Sequence, residues 1–168
     1  MVKMCISQTK IAKDYVTLDS DVYFVKNLDK KFFYLNGNLK VVGRKICSHA
    51  KAIKFFNLRN SHHEDQHIYE TATFVRYIFR PKEIVANPKK LLPYYDFVGP
   101  VAPWDSKIMN AMRDYVSAEM NFDFYDLIQT NPWEMQWYGQ FIQSKYPERF
   151  NLMNENFVLT LGYQNTHN

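Results

Sequence analysis

Four of the five histidines fall between positions 49 and 67: His49, His62, His63 and His67. Cys47 stands beside the first, and Glu64 and Asp65 lie inside the run. Imidazole nitrogen and thiolate sulfur are the donors that hold zinc, and Cys47 with His49, followed at a distance by His62 and His67, approaches zinc-finger spacing. The first pair departs from that pattern, because a single residue separates its members. Such a pair shares one face only in extended chain, whereas Ser48 reads as the N-cap of a helix. If the cluster holds zinc, Glu64 or Asp65 is the general base for a metal-bound water, which makes the chain a metal-dependent hydrolase or nuclease. The competing reading is a solvated polar loop.

Other catalytic signatures are missing. The chain has five glycines, none clustered, so there is no phosphate-cradling loop. It has no Gly-x-Ser-x-Gly elbow and no Cys-x-x-Cys. His62-His63-Glu64 matches only the first half of a zinc deaminase motif. The lack of a complete signature favours a non-enzymatic binding module over an enzyme.

A second constellation points to polyanions. Asn36-Gly37 sits between Phe32-Phe33-Tyr34-Leu35 and Asn38-Leu39-Lys40-Val41-Val42. Asn-Gly accepts positive φ at both central positions, as a type I′ hairpin turn requires. The implied register pairs Leu35 with Asn38, Tyr34 with Leu39, Phe33 with Lys40, Phe32 with Val41 and Lys31 with Val42. One face then holds Phe32, Tyr34, Leu39 and Val41 and is buried. The other presents Lys31, Lys40 and Arg44 around Phe33. Lysines and arginines track a phosphate backbone, and an exposed ring stacks on a base. Lys45, Lys51, Lys54 and Arg59 follow closely, with Arg76 and Arg80 beyond. Lysines on a strand edge also serve simply to prevent sheet-to-sheet aggregation. A third group, Trp133, Trp137 and Phe141, forms a helical stripe, read either as core or as the anchor for a protein partner.

The elements that position these groups are expected as follows. A strand over Val22–Lys26 precedes the hairpin and makes a three-stranded antiparallel meander. A helix runs from Ser48 to about Leu58, and residues 67–79 form a strand. Prolines at 81, 88, 93, 100 and 103 mark residues 81–103 as a largely irregular crossing. Beyond it, Asp105 caps a helix with Ile108, Met112, Tyr115 and Val116 at helical spacing. Asp123 caps a short helix, Asn131-Pro132 opens another, Pro147 opens a turn, and Phe157–Leu161 forms a last strand. The fold class is α+β: an antiparallel β-meander in the N-terminal half packed against helices of the C-terminal half. The 168 residues are expected to form a single domain, sheet-rich over 1–80 and helix-rich over 104–168.

Charge is distributed unevenly. Residues 1–90 hold 17 Lys and Arg against 8 Asp and Glu, net +9, and residues 91–168 hold 4 against 9, net −5, which sum to +4. Such asymmetry suits contact with nucleic acid or an acidic protein surface. Two cysteines do not make a disulfide framework, and neither a signal peptide nor a membrane span is read. The expected setting is therefore cytoplasmic and reducing, with no membrane partner. Abundant Asn, Lys, Tyr and Phe are typical of A/T-rich coding sequence, as in many phages and viruses. The expectation is a small viral or phage accessory module that contacts nucleic acid or an acidic partner through its basic half and a protein through its aromatic half.

Overall fold

The computed structural model describes residues 2–19, 29–46, 79, 94–97, 101–130 and 133–154. Helix α1 (Val2–Cys5) runs into a 3₁₀ turn (Ile6–Thr9), and strand β1 (Asp14–Leu18) follows. After a 3₁₀ turn at Lys30–Phe33 come β2 (Tyr34–Leu35), β3 (Asn38–Leu39) and β4 (Val41–Ile46). The later elements are β5 (Tyr94–Asp96), β6 (Val101–Asp105), α2 (Ser106–Met120), α3 (Phe124–Thr130), α4 (Glu134–Lys145), a 3₁₀ turn (Pro147–Arg149) and β7 (Leu152–Asn154). The class is α+β, with antiparallel strands in the N-terminal part and helices in the C-terminal part.

Strands of the two halves pair with each other. β1 runs antiparallel to β6, from Asp14 opposite Asp105 to Leu18 opposite Val101. β4 lies between β5, antiparallel, and β7, parallel. The Val41 amide also donates to the Asn151 carbonyl at 2.8 Å. Val41 and Val42 are both buried, although neighbouring strand residues point to opposite faces, so β4 is covered on both sides here.

The helix starts follow their caps. Asp105 Oδ1 accepts from the Lys107 amide at 2.8 Å and the Ile108 amide at 3.3 Å. Ile108, Met112 and Val116 then bury one stripe of α2, and Asn121 ends the helix in the left-handed region with φ 54°. Asp123 and Asp126 accept reciprocally from each other's amides, both at 2.9 Å, a capping box opening α3.

One aromatic-rich core joins both halves. It holds Met4, Val41, Phe79, Phe97, Trp104, Ile108, Met112, Leu127, Trp137 and Phe141. Phe79 meets Tyr115, Trp137 and Phe141 edge-on, with centroids 5.8, 6.0 and 5.2 Å apart.

Two expectations need correction. The strand leading into the Asn-Gly turn is only two residues long, because Asp29 caps the chain into a 3₁₀ turn: its Oδ1 accepts from the Lys31 amide at 2.9 Å. Lys31 and Phe33 therefore do not alternate along a strand. The proline-marked crossing contains two strands, β5 and β6. Pro103 is accommodated in β6 opposite Val16. The Ser106 amide bonds the Lys13 carbonyl and the Asp105 amide bonds the Tyr138 hydroxyl, so by alternation the Pro103 nitrogen faces away from β1 and breaks no ladder bond. The helical stripe takes the core reading at two of its positions: Trp137 and Phe141 are 0% and 2% exposed, and Trp133 is half-buried. The expected strands at Val22–Lys26, 67–79 (apart from Phe79) and Phe157–Leu161, and the helix from Ser48, lie outside the described residues.

Candidate nucleic-acid interface

The basic hairpin is the site that can be assembled from described residues. Its turn has the expected geometry: Asn36 and Gly37 have φ 51° and 77°, both left-handed. Tyr34 pairs with Leu39 and Leu35 with Asn38, as the sequence implies, and the Lys40 amide reaches the Phe33 carbonyl at 2.8 Å. Beyond that the strands part. Phe32 and Lys31 wind into the 3₁₀ turn, while Val41 and Val42 leave to pair with Leu152 and Met153.

The segment from Asp29 to Lys40 is a knob rather than a ribbon. Asp29, Lys30, Lys31, Leu35, Asn36 and Gly37 are exposed, and Phe32, Phe33, Tyr34 and Lys40 are partly exposed. Only Leu39 is buried. Cations and rings interleave on it. Lys40 Nζ lies 5.2 Å from the Phe32 ring centre and donates to the Phe32 carbonyl at 2.7 Å. Lys30 Nζ lies 5.5 Å from the Tyr34 ring centre, and Phe32 meets Phe33 edge-on at 5.5 Å. Lys40 thus has a structural task, holding the two limbs of the knob together. Lys30, which the sequence reading passed over, stands with Lys31 on the exposed side.

A polar contact ties the knob to the body. The Tyr34 hydroxyl donates to Asp14 Oδ2 on β1 at 2.8 Å. Asp14 pairs in register with Asp105, which is buried, caps α2 and forms an ion pair with Arg149. Burial, then the hydrogen bond to Asp14 and the Asp14 charge, push the Tyr34 hydroxyl up to about 12. Burial alone is the main cause for Tyr15, also pushed up to about 12. A tyrosine raised above its unfolded value near 10 contributes stability that is fully present below that value and is lost as pH rises towards 12. Stability measured by urea unfolding should therefore be flat to about pH 10 and then fall, with tyrosinate absorbance lagging behind that of the unfolded chain. Tyr34→Phe should lose about 1–2 kcal/mol and leave less of that alkaline fall, since it removes a bond to a charged acceptor. An unchanged alkaline limb in this variant would mean that the contact does not form.

The remaining candidates are placed as follows. Lys45 is exposed on β4 opposite Tyr95, and Arg44 pairs through its backbone with Asp96. Lys51, Lys54 and Arg59 lie outside the described residues, as do Cys47, His49, His62, His63, His67, Glu64 and Asp65. Among the described residues no three His, Cys, Asp or Glu side chains are grouped to hold a metal. Nor is any helix among them long and apolar enough to cross a membrane. Asp29 before a lysine pair is a signal by which the 3₁₀ turn could have been read; the Tyr34–Asp14 contact spans 20 residues and has no local signal. No family model, curated protein or solved structure matches the chain, so its functional reading rests on the geometry of the knob.

Proposed function

We propose that the chain is a non-enzymatic binding module that contacts nucleic acid through the 29–45 segment. The observation that supports this is the interleaving of Lys30, Lys31 and Lys40 with Phe32, Phe33 and Tyr34 on an exposed knob. Lysine ammonium groups neutralise phosphates, and a partly exposed ring such as Phe33 offers a face to an unpaired base. The net +9 of residues 1–90 adds to the attraction of the chain for a polyanion. Single-stranded nucleic acid is the better fit, because a short knob with rings among its cations suits stacking more than groove reading. The A/T-rich character of the composition fits a phage or viral accessory role.

Binding of a single-stranded oligonucleotide across a salt series tests the reading. Affinity should fall as salt rises. The combined change Lys30→Ala, Lys31→Ala, Lys45→Ala should reduce the slope of log K against log salt by about 2, close to 0.7 per lost phosphate contact. Lys40 is left intact because it holds the knob together. Undetectable binding at low salt defeats the proposal. Binding to an acidic protein with none to the oligonucleotide would reassign the partner.

A further inference from the structure

Among the described residues the outer edge of β1 carries unpaired backbone groups. The Lys13 carbonyl accepts from the Ser106 amide at 2.9 Å, so odd-numbered residues of this strand turn their backbone towards β6. Alternation then turns the amides and carbonyls of Asp14, Val16 and Leu18 the other way. Among the described residues β1 has only β6 as a partner. On the sheet face that these residues share, Val16 is 38% exposed and Leu18 41%, beside the partly buried Asp14, and Ile11, just before the strand, is 84% exposed. Folded proteins usually cover such an edge, or mark it with proline or inward-facing charge.

The strand is self-complementary. A two-fold axis through Val16 sets 16 against 16, 14 against 18 and 13 against 19. The outward backbone groups of Asp14, Val16 and Leu18 then meet in hydrogen-bonded pairs. Lys13 falls opposite Asp19 at a pair without backbone bonds, where side chains approach closest. Lys13 is exposed and has no ion-pair partner among the described residues, while Asp19 is exposed and bonded to Lys3 at 2.8 Å. Both Lys13–Asp19 contacts form at once, since the axis repeats each of them.

We propose that β1 pairs antiparallel with β1 of a second copy of this chain, joining two β1–β6 sheets into one four-stranded sheet. A contact of seven residues per copy, 13 to 19, is short, so the dimer is weak and depends on concentration. Sedimentation velocity of the full chain from low micromolar to submillimolar concentration is the test. A concentration-dependent shift from one to two copies is expected. Val16→Lys sets two like charges against each other at the axis and should weaken association at least about tenfold. Val16→Pro should do the same by removing an outward amide that β6 does not use. Lys13→Asp should weaken association, and Lys13→Asp with Asp19→Lys should recover it, which only this register predicts. Circular dichroism confirms that each variant is folded, and exchange protection of the Val16 amide should rise with concentration. A monomer throughout the range, or a dimer indifferent to both Val16 changes, overturns the proposal.

Discussion

Gly139→Val should leave the chain largely unfolded, and even Gly139→Ala should destabilise it. An alanine in the middle of α4 would normally gain about 1 kcal/mol in helix propensity over glycine. Here a Cβ at position 139 falls 2.2 Å from Phe97 Cγ and 2.4–2.5 Å from both Cδ atoms. No side-chain carbon approaches an aromatic ring so closely, so the ring or the helix has to move. Phe97 is fully buried, stacked on Tyr95 at 6.1 Å and edge-on to Phe150 at 6.0 Å, so any swing of the ring disturbs these contacts. Overpacking of this kind costs about 1–3 kcal/mol for a methyl and more for a branched side chain. The steric term therefore wins for alanine and dominates for valine, against a total stability of only about 5–15 kcal/mol. Urea unfolding should show a lower midpoint for Gly139→Ala at an unchanged slope. Adding Phe97→Leu should recover part of the loss, because the two sites share one space. Equal or higher stability of Gly139→Ala would contradict the packing of α4 on Phe97.

Trp137→Ala should cost about 3–5 kcal/mol of stability. The indole has no exposed surface and lies edge-on to Phe79, which also contacts Tyr115 and Phe141. Removing it opens a void at the centre of the core, where the surrounding rings cannot all collapse inward. The same variant separates two meanings of the stripe. An interface tryptophan, once truncated, loses partner affinity while the monomer keeps its stability. A core tryptophan loses stability first. Thermal unfolding of Trp137→Ala should show a clearly lowered midpoint; an unchanged midpoint would return this residue to the surface.

What the sequence made legible was mainly local. Asp105 and the Ile108, Met112, Val116 stripe, the Asp123 cap, the Asn36-Gly37 turn and the turn at Pro147 each depend on neighbours within about one helical turn. The hairpin register followed from its turn for two pairs and failed beyond them. Phe32 and Phe33 favour a strand, yet Asp29 offers its carboxylate to the Lys31 amide, and Val41 and Val42 gain more by pairing with Leu152 and Met153. β6 was hidden by its proline, which is harmless only because of the side of the strand on which it lies. The long-range pairs, β1 with β6 and β4 with β7, have no signature in spacing or composition.

The candidate site was legible as a set of residue types but not as a shape. Lys31, Lys40 and Phe33 were expected on one flat face. They lie on a knob in which Lys40 is committed to the Phe32 carbonyl, and Lys30 joins the exposed cations. The anchor, Tyr34 on Asp14, depends on a tertiary contact and could not be read from either segment alone.

The proposed function is tested most directly by titrating the isotope-labelled chain with a short single-stranded oligonucleotide at low salt and following backbone amide shifts. The largest changes should fall between Asp29 and Lys45, with ring-current shifts at Phe33, and the Lys30, Lys31, Lys45 triple variant should lose them while its spectrum elsewhere is unchanged. Shifts confined to other parts of the chain, or none at saturating oligonucleotide, would contradict it.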